Sequence, residues 1–213
     1  MDEWEALRAR LAAAGVDGAE DLGRFVNKPE LLSESRFDER AAMPVLIQAL
    51  PSLTDEKLIG AVAGHLRQPW ARPHAFAALL EAFEAAAPND GSTAAWHLGD
   101  AVGTTATAEH VEVLLRISRD SDYGAARQMV VQALGRFKKA PGVAEALLVL
   151  IDDPDVALHA MGALRRVVGA REALPHLERV ARERCGTVVG EQAARQVKRA
   201  RTSLSSKVHT VTP

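Results

Sequence analysis

The stretch from Ala126 to Val167 contains one helical unit twice, and this repetition constrains the fold more than any other feature. Val130-Val131-Gln132-Ala133-Leu134-Gly135-Arg136-Phe137 returns thirty residues later as Ala160-Met161-Gly162-Ala163-Leu164-Arg165-Arg166-Val167. Between the copies, Pro141 to Ile151 forms a second apolar helix closed by Asp152-Asp153-Pro154. A helical, Ala/Leu-rich repeat of this length cannot bury its apolar face alone and needs stacked neighbours, which predicts an all-α solenoid.

The repeat extends in both directions. First helices of each pair align on Leu46, Leu79, Leu114, Leu147 and Leu177, at intervals of 33, 35, 33 and 30 residues. Second helices align on Leu66, Val102, Leu134, Leu164 and Val197, at intervals of 36, 32, 30 and 33. Two ladders of nearly equal pitch predict about five helix pairs, each an A helix followed by a B helix, in one continuous array. Only nine residues are aromatic (3 Trp, 1 Tyr, 5 Phe) although 47% are apolar, so Ala, Leu and Val must build the core. Such small side chains suit close helix packing and high helix propensity together.

Local signals fix the remaining boundaries. Asp2 caps a helix over 2–14 with Trp4, Leu7 and Leu11 on one face, broken by Gly15-Val16-Asp17-Gly18. A short helical piece with Leu22, Phe25 and Val26 ends at Asn27-Lys28-Pro29. Residues 1–36 thus read as an N-terminal helical cap, 37–201 as the repeats, and 202–213, where the helical period is lost, as a flexible tail. Thr54 before Asp55-Glu56, Thr107 before Ala108-Glu109, and Asp153 before Pro154 are expected helix starts. Pro44 and Pro175 occupy the same A-helix position and predict a kink or a late start there.

The closing Ala-Leu-Gly of the B helix, the A helix Met43-Pro44-Val45-Leu46-Ile47-Gln48-Ala49-Leu50, and the Asp-Asp-Pro-Asp-Val turn at 152–156 resemble HEAT repeats. The subtype they are most similar to is the roughly thirty-residue HEAT-like repeat also found in phycobilin lyases. The resemblance covers about 38–201 and is clearest over 107–183. It implies a right-handed α-solenoid and, since such repeats mostly serve as binding surfaces, a scaffold.

Charge is unevenly distributed. Residues 1–106 carry nine Lys/Arg and sixteen Asp/Glu, leaving seventeen and twelve of the totals of 26 and 28 for 107–213, so the halves are net −7 and +5. A lone Cys185 rules out an internal disulfide or a Cys-based zinc cluster, and reads as a small buried hydrophobe. The acidic start Met1-Asp2-Glu3 is not a secretory signal, and no apolar run approaches bilayer length, so a cytoplasmic, monomeric protein is expected.

Candidate site residues fall on the B helices. Arg136, Arg166 and Arg199 lie two positions past the anchor in successive repeats, with Arg165 and Lys198 beside them and Arg127 a few turns earlier. They form either a cationic ladder for a partner or charges that need none, as helix-end cations that favour the dipole and, for Arg195, Lys198, Arg199 and Arg201, as the polar outer face that the last helix of an array requires. His97 and His159 share a register five before the anchor and read as surface or groove histidines. HEAT-like repeats in deoxyhypusine hydroxylase hold iron through His-Glu dipeptides, and the chain has none. Trp96 and Asp100, at i and i+4, resemble the aromatic and carboxylate of HEAT-like alkylpurine DNA glycosylases; the plainer reading packs Trp96 in the core and leaves Asp100 solvated. No phosphate loop, nucleophile elbow or Ser/His/Asp arrangement is present. The expectation is a non-enzymatic scaffold without metal or cofactor, binding an acidic protein partner along the B helices, with nucleic acid as the alternative.

Overall fold

A computed structural model describes residues 2–23, 36–86 and 92–208, with side chains through Ser205. Phe25, Val26 and the Asn27-Lys28-Pro29 stop lie outside the described residues. All regular structure among those described is helical. The chain divides into two compact units, Met1–Thr107 and Ala108–Pro213, at the point where the charge balance changes sign.

The first unit holds α1 (Glu3–Ala13), α2 (Glu39–Ala49), α3 (Glu56–Leu66), α4 (Arg72–Ala86) and α5 (Thr93–Thr105). Side-chain caps set most of the starts. Asp2 accepts from the Glu5 amide at 2.8 Å, Asp38 from the Arg40 and Ala41 amides at 3.0 Å, Asp55 from Leu58 at 2.8 Å and Ser92 from Ala95 at 3.3 Å. Each supplies an acceptor to one of the orphan N–H groups of a first turn. Asp55, not Thr54, is the cap of α3. Within the unit α2 packs on α3 and α4 on α5, while α2 also meets α4 and α3 meets α5. First helices of the pairs therefore touch first helices, and second touch second. Pro44 is exposed and α2 starts ahead of it, at Glu39, so the helix neither begins late nor ends there.

Polar contacts at Glu3, His65 and Arg10, the last donating to Gln48 at 3.2 Å, tie the N-terminal segment to the rest of this unit. Glu3 accepts from the Thr54 and Asp55 amides at 3.0 and 2.9 Å and from the Thr54 hydroxyl at 2.6 Å. His65 is buried; its Nε2 accepts from the Gly23 amide at 3.3 Å, so the proton sits on Nδ1 and is donated to Glu39 at 3.2 Å. The hydrogen bonds from Thr54 and Asp55 hold the Glu3 carboxyl below its ordinary value of 4.5. A depressed carboxylate contributes stability that is present above the unfolded value and lost as pH falls through the folded one. Thermal midpoints of the parent and Glu3→Gln should accordingly differ above about pH 4.5 and converge on acidification. A gap that stays constant with pH would assign Glu3 a purely steric role.

The second unit holds α6 (Val111–Arg119), α7 (Gln128–Leu134), α8 (Val143–Leu150), α9 (Ala157–Glu183) and α10 (Val188–Val208). Gly169, with φ 86° and ψ 169°, interrupts α9, so residues 157–168 and 170–183 are two helices joined without a loop. Only glycine reaches that conformation without strain. Pro175 then stands sixth in its helix, as Pro44 does in α2. Here α6 packs on α7 and α8, and α7, α8 and α10 all pack on α9.

The Asp-Asp-Pro-Asp turn is not a helix cap, since α9 starts at Ala157. It is an acceptor site for arginines. Arg179 pairs with Asp152 at 2.7 Å, and Arg127 pairs with Asp153 at 2.7 Å and lies 3.7 Å from Asp155. The sequence reading of 202–213 as a tail is corrected in part, because α10 continues to Val208. Thr202 and Ser205 hydroxyls donate to the carbonyls four residues earlier, at 3.0 and 3.1 Å, the local bond that Ser and Thr make within a helix.

Candidate functional site

In the first unit the expected residues do not form a reactive centre. Asp100 makes an ion pair with Arg67 of the neighbouring α3 and its side chain is 15% exposed, so it is neither solvated nor an available carboxylate. Trp96 is half-buried, not a core residue, and meets the His97 ring edge-on with centroids 5.4 Å apart. His97 lines a pocket of about 440 Å³ with Trp4, Gly23, Gly60, Ala61 and Thr93. Burial first, and then the nearby Arg67 charge, hold its pKa below the ordinary histidine value, with Asp100 opposing weakly. The imidazole is therefore neutral at neutral pH.

The second unit carries the cations. Arg127 is corrected from a partner-binding residue to a structural one, because it is 1% exposed. Its guanidinium donates to the Ser118 carbonyl at 2.9 Å, the Gly124 carbonyl at 3.1 Å and Asp153 at 2.7 Å. Gly124, at φ 45° and ψ −134°, breaks the turn ahead of α7 and offers one of these carbonyls. Cys185 is also corrected, being exposed.

Arg136, Arg166, Lys198 and Arg199 are exposed, while Arg165 and His159 are half-buried. Burial pushes the His159 pKa down. An added Cβ on Gly135 would lie 3.1 Å from the Ala163 Cα, which shows how closely the end of α7 approaches α9. Arg136 follows the end of α7 by two residues and Arg166 stands three before the break at Gly169, so both lie near helix C-terminal ends. Helix-end electrostatics accounts for those two. It does not account for Arg199, which lies nine residues before the end of α10 at Val208.

On the first half of α9, Ala157, Ala160, Met161, Ala163 and Leu164 are buried. The opposite face carries Leu158, His159, Gly162, Arg165 and Arg166. Two nitrogens on that face, His159 Nδ1 and Arg165 Nε, are buried without a hydrogen-bond partner. Between them stands Gly162, whose added Cβ would meet nothing within 4 Å. A helix-interior glycine costs roughly 0.5–1 kcal/mol relative to Ala, so one that packs against nothing has no stabilising reason for being there. Sequence reading missed Gly162 and Gln132, and took Arg195 only as part of a polar outer face; Gln132 and Arg195 share the register of Gly162, two before the anchor, in α7 and α10. The repeat alignment held that signal, since it places all three in one row. Arg195 donates to Gln192 at 2.8 Å.

Among the described residues no group of three His, Cys, Asp or Glu side chains is placed to hold a metal ion, and no helix is long and apolar enough to cross a membrane. Comparison with protein-family models, curated proteins and solved structures finds no match.

Proposed function

We propose that the chain is a non-enzymatic scaffold of HEAT-like, right-handed helix pairs that binds an acidic protein partner on the B-helix face of its second unit. Support for the helix pairs comes from packing within each unit and from the anchors, of which Leu46, Leu79, Leu114, Leu147 and Leu177 are all fully buried. The observation that carries the binding reading is Arg199. It is a mid-helix, exposed cation in the register of Arg166 and Arg136, where no helix terminus requires a positive charge. Engagement of Asp100 by Arg67 weighs against a base-excision reading, which needs that carboxylate free.

The test replaces Arg136, Arg166 and Arg199 together with Gln. Exposed charges contribute little to folding, so the urea midpoint should move by no more than about 0.5 kcal/mol equivalent. Affinity capture from native host extract should retain an acidic protein on the parent and lose it on the variant, with the difference shrinking as salt screens the charges over about 8 Å. Equal capture by both proteins would sink the reading. So would a mobility shift of duplex DNA whose steep salt dependence shows that phosphates occupy the face.

A further inference from the structure

We infer that Gly162 marks a hollow in the cationic face where the backbone of an extended acidic segment, with a carboxylate at every third residue, approaches α9. The inference rests on the reading just given and specifies the partner's conformation and spacing. Three features converge at Gly162. The glycine has open space where a side chain would stand. His159 and Arg165, about one turn to either side, each hold a buried nitrogen with no protein partner. Arg166 is exposed beside them; α7 and residues 157–168 of α9 contain no carboxylate, and α10 contains Glu191, in its first turn and two turns from Arg199.

Spacing selects the conformation. Packed helices stand about 8–10 Å apart. An extended chain of the polyproline II type rises about 3.1 Å per residue with three residues per turn, so positions i, i+3 and i+6 lie on one side about 9 Å apart. Carboxylates at those positions would meet Arg136 just past α7, Arg165 and Arg166 on α9, and Arg199 on α10. A partner helix, about 10 Å across, would need a trough over all three helices, whereas one glycine relieves one point.

The probe is a labelled peptide of Glu-Pro-Ser repeated four times, compared with a permuted peptide of the same composition whose four Glu are contiguous, both read by fluorescence anisotropy against the full chain. The periodic peptide should bind the parent at least about tenfold more tightly than the permuted one. Gly162→Leu, which keeps every charge, should weaken it by about tenfold or more with helix content and thermal midpoint unchanged or raised. Gly162→Ala, a smaller intrusion, should give a smaller loss. If Gly162→Leu binds as the parent does while the triple Gln variant does not, the hollow is wrong and the cationic ladder stands. If the triple Gln variant also binds unchanged, the ladder falls with it. Equal binding of both peptides, no binding of either, or tighter binding of an oligothymidylate strand to this face would each overturn the extended acidic occupant.

Discussion

Replacing Arg127 with Met should destabilise the chain by about 3 kcal/mol or more, although no partner-binding surface is touched. Met matches the aliphatic length of Arg, so the change isolates the guanidinium. Three acceptors then lose their donor together: the Ser118 carbonyl, the Gly124 carbonyl and the Asp153 carboxylate. Each buried acceptor left unmade costs roughly 1–3 kcal/mol, and breaking one side of a buried ion pair typically costs about 3–5. Asp153 is 23% exposed and regains some water, which places the expectation toward the lower end. Asp155, 48% exposed at 3.7 Å, adds little. Urea unfolding of Arg127→Met, Asp153→Asn and the double variant checks this. A coupling near zero in that cycle would mean that the guanidinium acts only through the two carbonyls, and a total loss under 1 kcal/mol would refute the structural role.

Arg127 also shows where sequence reading reaches its limit. Counted along the repeat it is one more cation before a B helix, and a register alignment groups it with Arg136 and Arg166. Its inward direction goes with three acceptors, one of them the carbonyl of Gly124, whose dihedral angles no composition rule supplies. The acidic turn at 152–155 was legible as a turn, yet its use as an acceptor for Arg127 and Arg179 depends on pairings 26 and 27 residues apart. By contrast, the anchors depended only on periodicity. Leu66, Val102, Leu134 and Leu164 are buried, and Val197 is half-buried on α10. A hydrophobic ladder is a local, repeated signal that many residues vote on, whereas a single arginine's direction depends on acceptors from separate parts of the chain.

The same contrast holds at the candidate site. Exposure of Arg166 and Arg199 follows from their position opposite the buried stripe, which helical period determines, while Arg136 is exposed in the turn after α7. Asp100 does not follow, because Arg67 reaches it from a different helix. Nor does the end of α10 follow, since Thr and Ser lower helix propensity, yet the helix runs to Val208 with the Thr202 and Ser205 hydroxyls bonded to carbonyls four residues back.

Gly190→Ala should cost about 3 kcal/mol, while the same substitution at Gly162 should be neutral or stabilise by up to about 1 kcal/mol. The two glycines look alike in the sequence, both inside apolar helical stretches. Gly190 sits in the first turn of α10, where the chain has just reversed after α9. Its amide donates to the Thr187 hydroxyl at 3.1 Å, and that hydroxyl donates to the Arg184 carbonyl at 2.7 Å. An added Cβ would lie 2.5 Å from the Arg184 carbonyl carbon and 3.1 Å from the Cys185 nitrogen, so it would meet backbone, which cannot swing aside. The first turn of α10 must then lift, and the contacts of Ala193, Gln196 and Ala200 with the rest of the unit loosen behind it. At Gly162 nothing lies within 4 Å, so Ala simply restricts the unfolded chain and improves helix propensity. Paired urea titrations of the two variants read both signs. Equal effects would show that Gly190 has room to relax, and a destabilised Gly162→Ala would show that the open face of α9 is packed after all.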